Sequence, residues 1–205
     1  MVAVPSFQTI SFIKYLFGLR KARTSDTDAE ISFLSALAAG KKCAVEIGVY
    51  EGVASRAIAG SISRDGRLYL VDPYTLSLKL ERLLGFSFFE YVAKDNLKRY
   101  LDRVEFVKMA SVEASRVLPI KGKADFIFID AKHDYESVLA DFKAYEELLS
   151  PGGIVAFHDS CECPARPDLN DHTGPVRLVN EILSGLHGPW RKVDSVDSIT
   201  VIAKR

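Results

Sequence analysis

Residues 126–129 read Phe-Ile-Phe-Ile. A run of four bulky apolar residues cannot form a strand with one face in water, because successive side chains point to opposite faces. It is stable only where both faces are covered. Downstream, Glu136 to Leu149 repeats Val138, Leu139, Phe142, Tyr145, Leu148 and Leu149 at helical spacing. A doubly buried strand leading into an amphipathic helix is the unit from which a sheet with helices on both faces is built.

The rest of the chain repeats that unit. Apolar strands are expected at Cys43–Ile47, Leu68–Val71, Val104–Met109 and Ile154–Phe157. Helices are expected at Asp26–Ala39, Ala54–Ile62, Phe88–Leu101, Val112–Leu118 and Pro175–Leu186. Thr24 or Ser25 can cap the first of these and Gly40 stops it, while Ser150-Pro-Gly-Gly ends the helix before the fifth strand. Trp190–Val193 and Ser198–Ala203 read as two closing antiparallel strands, with Trp190 anchoring the sheet edge. The fold class is therefore α/β: a doubly wound seven-stranded sheet, mostly parallel with an antiparallel final strand. Residues 1–40 read as a helical N-terminal extension and residues 41–205 as the domain proper.

Length and charge narrow the partners. The 205 residues suffice for one domain, and 27 basic residues balance 27 acidic ones. Nucleic-acid binders carry a basic excess, so no nucleic-acid partner is expected. No apolar run reaches the roughly 18 residues of a membrane span. Phe7–Leu19 carries its positive charge after the apolar stretch, the reverse of a signal peptide. It reads as an amphipathic helix packed on the domain or on a second copy, or as a membrane-surface or lid helix. Three cysteines cannot build a disulfide framework, and the odd count fits a cytoplasmic setting.

Ligands in doubly wound sheets bind beyond the carboxyl ends of the strands. After the first strand stands Glu46-Ile-Gly48-Val-Tyr50-Glu-Gly52, whose two glycines allow close backbone approach or simply make a tight turn. Tyr50 fills the place of the middle glycine of a dinucleotide fingerprint, which disfavours a pyrophosphate contact. After the second strand stands Asp72, an acid placed to accept from both hydroxyls of a ribose, or a turn residue before Pro73. After the third stands Ser111, against a base or capping the next helix. After the fourth and fifth stand Asp130-Ala-Lys-His133 and His158-Asp159. Asp130, His158 and Asp159 at one rim can hold a divalent cation, with His133 free to act as a base. The alternative makes Asp159 a cap and His133 a loop residue. His158 to Cys163 is too tightly spaced for a usual zinc site. Ser160–Gly174 and Pro73–Ser87 leave the same rim and are expected to wall the site.

From Lys41 to the C-terminus the pattern resembles the class I S-adenosylmethionine-dependent methyltransferases, a Rossmann-like family. The Glu-x-Gly-x-x-x-Gly loop resembles that family's first motif and Asp72 its ribose-binding acid. The runs at 126–136 and 151–159 resemble a branch of O-methyltransferases acting on sugars of natural products, with a relative linked to cephalosporin hydroxylation. The resemblance implies S-adenosylmethionine held by Glu46, Gly48, Gly52, Asp72 and Ser111. It implies Mg2+ or another divalent cation at Asp130, His158 and Asp159, and His133 and Asp130 as catalytic residues. His158 stands where some members have an acid, and Ser111 where an acid often sits near the adenine amino group. The expected reaction is methyl transfer to an oxygen of a small molecule or glycan precursor, with self-association through the apolar N-terminus plausible. The rivals are a metal-assisted enzyme of another class, hydroxylase-like, and a non-catalytic nucleoside-binding protein.

Overall fold

The computed structural model describes residues 6–161 and 173–205. Seven strands form one sheet: β1 (Cys43–Ile47), β2 (Arg67–Val71), β3 (Val104–Val107), β4 (Ala124–Ile129), β5 (Leu149–Phe157), β6 (Trp190–Val196) and β7 (Ile199–Lys204). Their order is β3-β2-β1-β4-β5-β7-β6. Strands β1 to β5 pair in parallel, and β7 runs antiparallel to both β5 and β6. The doubly wound sheet with its antiparallel final strand is thus the observed architecture.

Strand β4 shows why the sheet needs two covers. Ile127 and Ile129 enter a core with Val45, Val71, Val155 and Phe157; Phe126 and Phe128 enter another with Ala44, Leu68, Leu70 and Ala156. The first core is closed by α6 (Ser111–Val117), α7 (Tyr135–Glu146) and α8 (Thr173–Leu183). The second is closed by α2 (Asp28–Ala38), α3 (Val53–Ser61) and α5 (Phe88–Asn96). Trp190 does close the edge: it is 2% exposed, its Nε1 donates to the His187 carbonyl, and its ring meets Phe142 at 5.3 Å.

Several boundaries differ from the sequence reading for local reasons. Helix α2 starts at Asp28, not Asp26, and its cap is Thr27 rather than Thr24 or Ser25. Thr27 and Glu30 form a reciprocal capping box. Helix α5 ends at Asn96, and α4 (Lys79–Leu84) occupies part of the stretch read as a wall. Strand β5 begins at Leu149, so Ser150 to Gly153 lie inside a strand with an irregular register rather than ending a helix. A Cβ on Gly153 would stand 2.8 Å from the Ala124 carbonyl, and that close approach accounts for the glycine.

The N-terminal helix α1 (Phe7–Leu16) lies on α5. Phe12 stacks on Phe88 at 4.2 Å, and the Tyr15 hydroxyl donates to Asp95 at 2.6 Å. Among the described residues no helix is long and apolar enough to cross a membrane.

Candidate active site

The carboxyl ends of β1, β2 and β4 open into a cavity of about 860 Å³, within the usual size range for small-molecule sites. Glu46, Gly48, Asp72, Ser111, Asp130 and His133 all line it. The structure therefore brings together the residues singled out after four different strands, and places Gly52, His158 and Asp159 immediately behind this lining.

The two glycines of the first loop are demanded by the protein itself. Gly48 has φ +88°, and a Cβ there would sit 1.9 Å from the Asp130 carbonyl oxygen. Gly52 caps α3 at φ +73°, with Ala93 3.2 Å from where a Cβ would be. Between them Tyr50 is held at φ +51° although it is not glycine. Tyr74 after β2 and Asp159 after β5 are likewise left-handed, at +43° and +50°. Backbone strain of this kind costs of order 1–3 kcal/mol per residue and persists where the surroundings enforce it, often at functional sites.

Asp72 fastens the first two loops together. Its Oδ2 accepts from the backbone N–H of Val49 (3.0 Å) and Tyr50 (3.3 Å), and its Oδ1 from that of Tyr74 (2.8 Å). Glu46 is 1% exposed, and burial pushes its carboxyl well above the usual range despite the Ser55 hydroxyl beside it. Its Oε2 has no hydrogen-bond partner among the described residues. Ser111 is not the cap of α6, which is Ala110. Its hydroxyl instead donates to Asp141 on α7, and its carbonyl accepts from Tyr145 at 2.9 Å.

At the β4 and β5 ends two histidines sit among carboxylates. His133 Nε2 lies 3.1 Å from Asp159 Oδ2 and 3.6 Å from Asp130 Oδ1. His158 is 2% exposed, with Nδ1 3.2 Å from both Asp130 Oδ1 and Asp159 Oδ1. Its Nε2 faces Asp26 Oδ1 at 3.2 Å and Glu30 Oε2 at 3.5 Å. None of these His158 contacts has directed hydrogen-bond geometry. Asp159 faces the histidines and caps none of the described helices.

Each shift follows from this arrangement. The neighbouring carboxylates of Asp130 and Asp159 push His133 up to about 9. Burial opposes a charge on His158, but Asp130, Asp159 and Glu30 prevail and raise it. Asp130 falls to about 2 because His158 and His133 outweigh its burial. Asp26 rises to about 6 through burial and the neighbouring Asp130. Glu30 falls to about 2, its burial overcome by His158 and Ser198.

These donors pass a test of fit for a divalent ion. Two imidazoles and two carboxylates place ligand atoms within 4.8 Å of one another, their four nitrogen–oxygen contacts spanning 3.1–3.6 Å. Cis ligands around an ion with bonds of about 2.1 Å are about 3 Å apart. Glu30 and Asp26 stand behind His158, where an acid orients a ligating imidazole.

Sequence reasoning missed Asp26, Glu30, Glu51 and Asp141. The buried Glu51 takes Arg20 at 2.6 Å and Arg23 at 2.9 Å, tying down the strap whose residues Arg23, Thr24, Ser25 and Asp26 line the cavity. Only the Thr27-x-x-Glu30 spacing carried a local signal. Cys161 donates its thiol to the Asp197 carbonyl, and no metal-ligating group among the described residues includes a cysteine. Cys163 and most of the 160–174 wall lie outside the described residues.

The profile of the family described as a methyltransferase domain matches residues 45–160, more than half of the chain. An uncharacterised protein of Acanthamoeba polyphaga mimivirus is 25% identical over 151 residues, or 72% of this chain; the chain spans 63% of that relative's length. Among solved structures, an O-methyltransferase from Bacillus cereus in complex with SAH aligns with TM-score 0.64 at 20% identity, covering 100% of this chain and 94% of that one. The Streptomyces achromogenes O-methyltransferase involved in tomaymycin synthesis, in complex with SAM, gives TM-score 0.62 at 20% identity, covering 98% and 91%. An SAH-bound methyltransferase of Podospora anserina gives 0.66 at 15% identity, covering 98% and 89%. Matched profile, sheet order and the cavity at the strand ends agree: the chain belongs to the methyltransferase-domain family and has the class I, Rossmann-like fold of the S-adenosylmethionine-dependent enzymes.

Proposed function

We propose that this chain transfers the methyl group of S-adenosylmethionine to a hydroxyl oxygen of a small molecule or glycan precursor in the cytoplasm. The observation that carries this is the cavity at the strand ends, where five acids, Asp26, Glu46, Asp72, Asp130 and Asp141, outnumber the basic Arg23 and Lys132. A sulfonium cofactor is cationic, and such a lining attracts it. Glu46, Gly48, Gly52, Asp72 and Ser111 would hold it, Asp72 through the lone pairs its three backbone donors leave free.

Methyl transfer needs an in-line acceptor oxygen and removal of its proton. His133, at the cavity wall, is the proposed base. Asp130 and Asp159 fix its ring, and also hold its proton until near pH 9. Asp130, Asp159 and His158 would hold a divalent cation, and the imidazole nitrogen of His158 shifts the preference from magnesium toward a transition metal. When bound, such a cation supplies Lewis-acid chemistry that lowers the pKa of a hydroxyl. The limb of the pH–rate profile due to His133 is expected near 9 without a cation. It should move toward the ordinary 6.5 once the two carboxylates are neutralised. Turnover should rise with pH through that limb, because only neutral imidazole accepts a proton.

The test is calorimetric titration with SAM and SAH, with and without Mg2+ and Mn2+, on wild type, Asp72→Ala and His133→Ala. Micromolar binding to wild type is expected, weakened at least tenfold by Asp72→Ala and kept by His133→Ala, whose turnover falls. No binding under any condition would sink the reading. A second reading, hydroxylase-like, draws on the same two-histidine, two-carboxylate set. Oxygen-dependent product without a methylated one would favour it.

A further inference from the structure

We propose that α1, the turn after it and α4 form a docking surface for an anionic lipid membrane, on which the protein sits peripherally. This stands apart from the reaction assigned to the cavity.

Helix α1 is apolar on two faces. Phe12 turns inward and joins Phe88 and Val92 in a small cluster. On the other side Phe7, Ile10, Ile13 and Phe17 recur at helical spacing, and all four are exposed. A helix that is apolar all round is normally covered all round. Here the outer face meets water instead: Phe7, Phe17 and the following Leu19 are 74–76% exposed. Helix α4 extends the same surface. Leu78 and Phe86, which flank it, pack on the α1 cluster, and its Leu83 is 82% exposed. Large apolar side chains gathered in this way mark an interaction site rather than ordinary surface.

Charge decides the occupant. The first 25 residues contain Lys14, Arg20, Lys21 and Arg23 and no acid. Arg20 and Arg23 are engaged by Glu51, which leaves Lys14 and Lys21 exposed beside the apolar tips. Helix α4 adds the exposed Lys79 and Arg82. Its one acid, Glu81, is buried and accepts from the backbone N–H of Ser77, Leu78 and Phe88. Asp95, behind α1, is taken by Tyr15 and Lys98. The whole chain is neutral, so this basic bias is local. A second copy related by a two-fold axis would set these cations against themselves with no free acid to answer them. A layer of anionic headgroups over acyl chains answers both the lysines and the apolar tips. The outer face of a helix is also convex, so its Phe and Leu side chains project outward and suit insertion between headgroups. Phe7 lies 5.8 Å from Arg23, a lining residue of the cavity, so the docking surface borders the site.

The experiment floats the full chain with vesicles of phosphatidylcholine alone and of phosphatidylcholine mixed with phosphatidylglycerol. Binding to the anionic vesicles is expected to exceed binding to the neutral ones about tenfold and to weaken as salt is raised. Two double variants, Phe17→Ser with Leu83→Ser and Lys14→Glu with Lys79→Glu, should each lower it about tenfold. All four side chains are exposed, so thermal melts should stay near wild type. Leu186→Ser, exposed outside the patch, should leave binding unchanged. A wild type that stays off both kinds of vesicle overturns the proposal. So does equal binding to the two, or binding that neither double variant reduces. Light scattering supplies the rival outcome: a dimer that Phe17→Ser with Leu83→Ser splits, in a chain that ignores vesicles, assigns the face to a second copy and overturns the proposal.

Discussion

Glu30 is the residue whose environment is most unlike its sequence position. It closes the capping box of α2, takes Ser198 through both its backbone N–H (2.9 Å) and its hydroxyl (2.5 Å), and stands behind His158. Its folded value of about 2 lies below the ordinary 4.5, so its contribution to stability is present above pH 4.5 and disappears as pH falls toward 2. Urea unfolding of wild type and Glu30→Gln across pH 2–7 should show a gap that is full near neutrality and closes in acid. A gap independent of pH would place the stabilisation in shape rather than charge. In the sequence, Glu30 lies within the helix expected at Asp26–Ala39 and Asp26 opens it, with nothing in that reading to single out either. Their approach to His158, 128 and 132 positions away, depends on where the sheet puts β5, which no local pattern encodes.

At the scale of elements, the strands were the legible part and the loops after them only half so. The alternation of Phe126 to Ile129 between two cores follows directly from an unbroken apolar run. Glycines 48 and 52 were legible as special, but the reason was not: the sequence offered close approach of a ligand or a tight turn, while the structure also shows close approach of the residue after β4 and of α5. That difference can be measured. Gly48→Ala is expected to cost several kcal/mol, because its Cβ would overlap the Asp130 carbonyl and the backbone is left-handed there. Gly40→Ala, also left-handed at φ +71° but with nothing within 4 Å, is expected to cost about 1 kcal/mol. Thermal denaturation separates the two, and comparable losses would show that the β1–α3 loop yields easily. The start of α2 was misplaced because Thr24, Ser25 and Thr27 are all able caps. Only the Thr27–Glu30 reciprocity selects among them.

For the molecule as a whole, the N-terminal region and the parallel sheet meet across the cavity. Helix α1 rests on α5, α2 covers one core, and the strap between them is held by Arg20 and Arg23 on Glu51, which is 0% exposed. Removing one partner of a buried ion pair strands the other charges, so Glu51→Gln should lower the melting temperature, while the exposed pair Lys121–Glu147 should tolerate Glu147→Gln with little change. The strap has a further consequence in time rather than in energy. Because residues 23–26 wall the cavity, loosening the strap is expected to change how fast a ligand enters and leaves. Residence time would then depend on Arg20 and Glu51, which do not line the cavity, and affinity on the residues that do. In stopped-flow binding, Glu51→Gln should speed association and dissociation together and leave their ratio nearly unchanged.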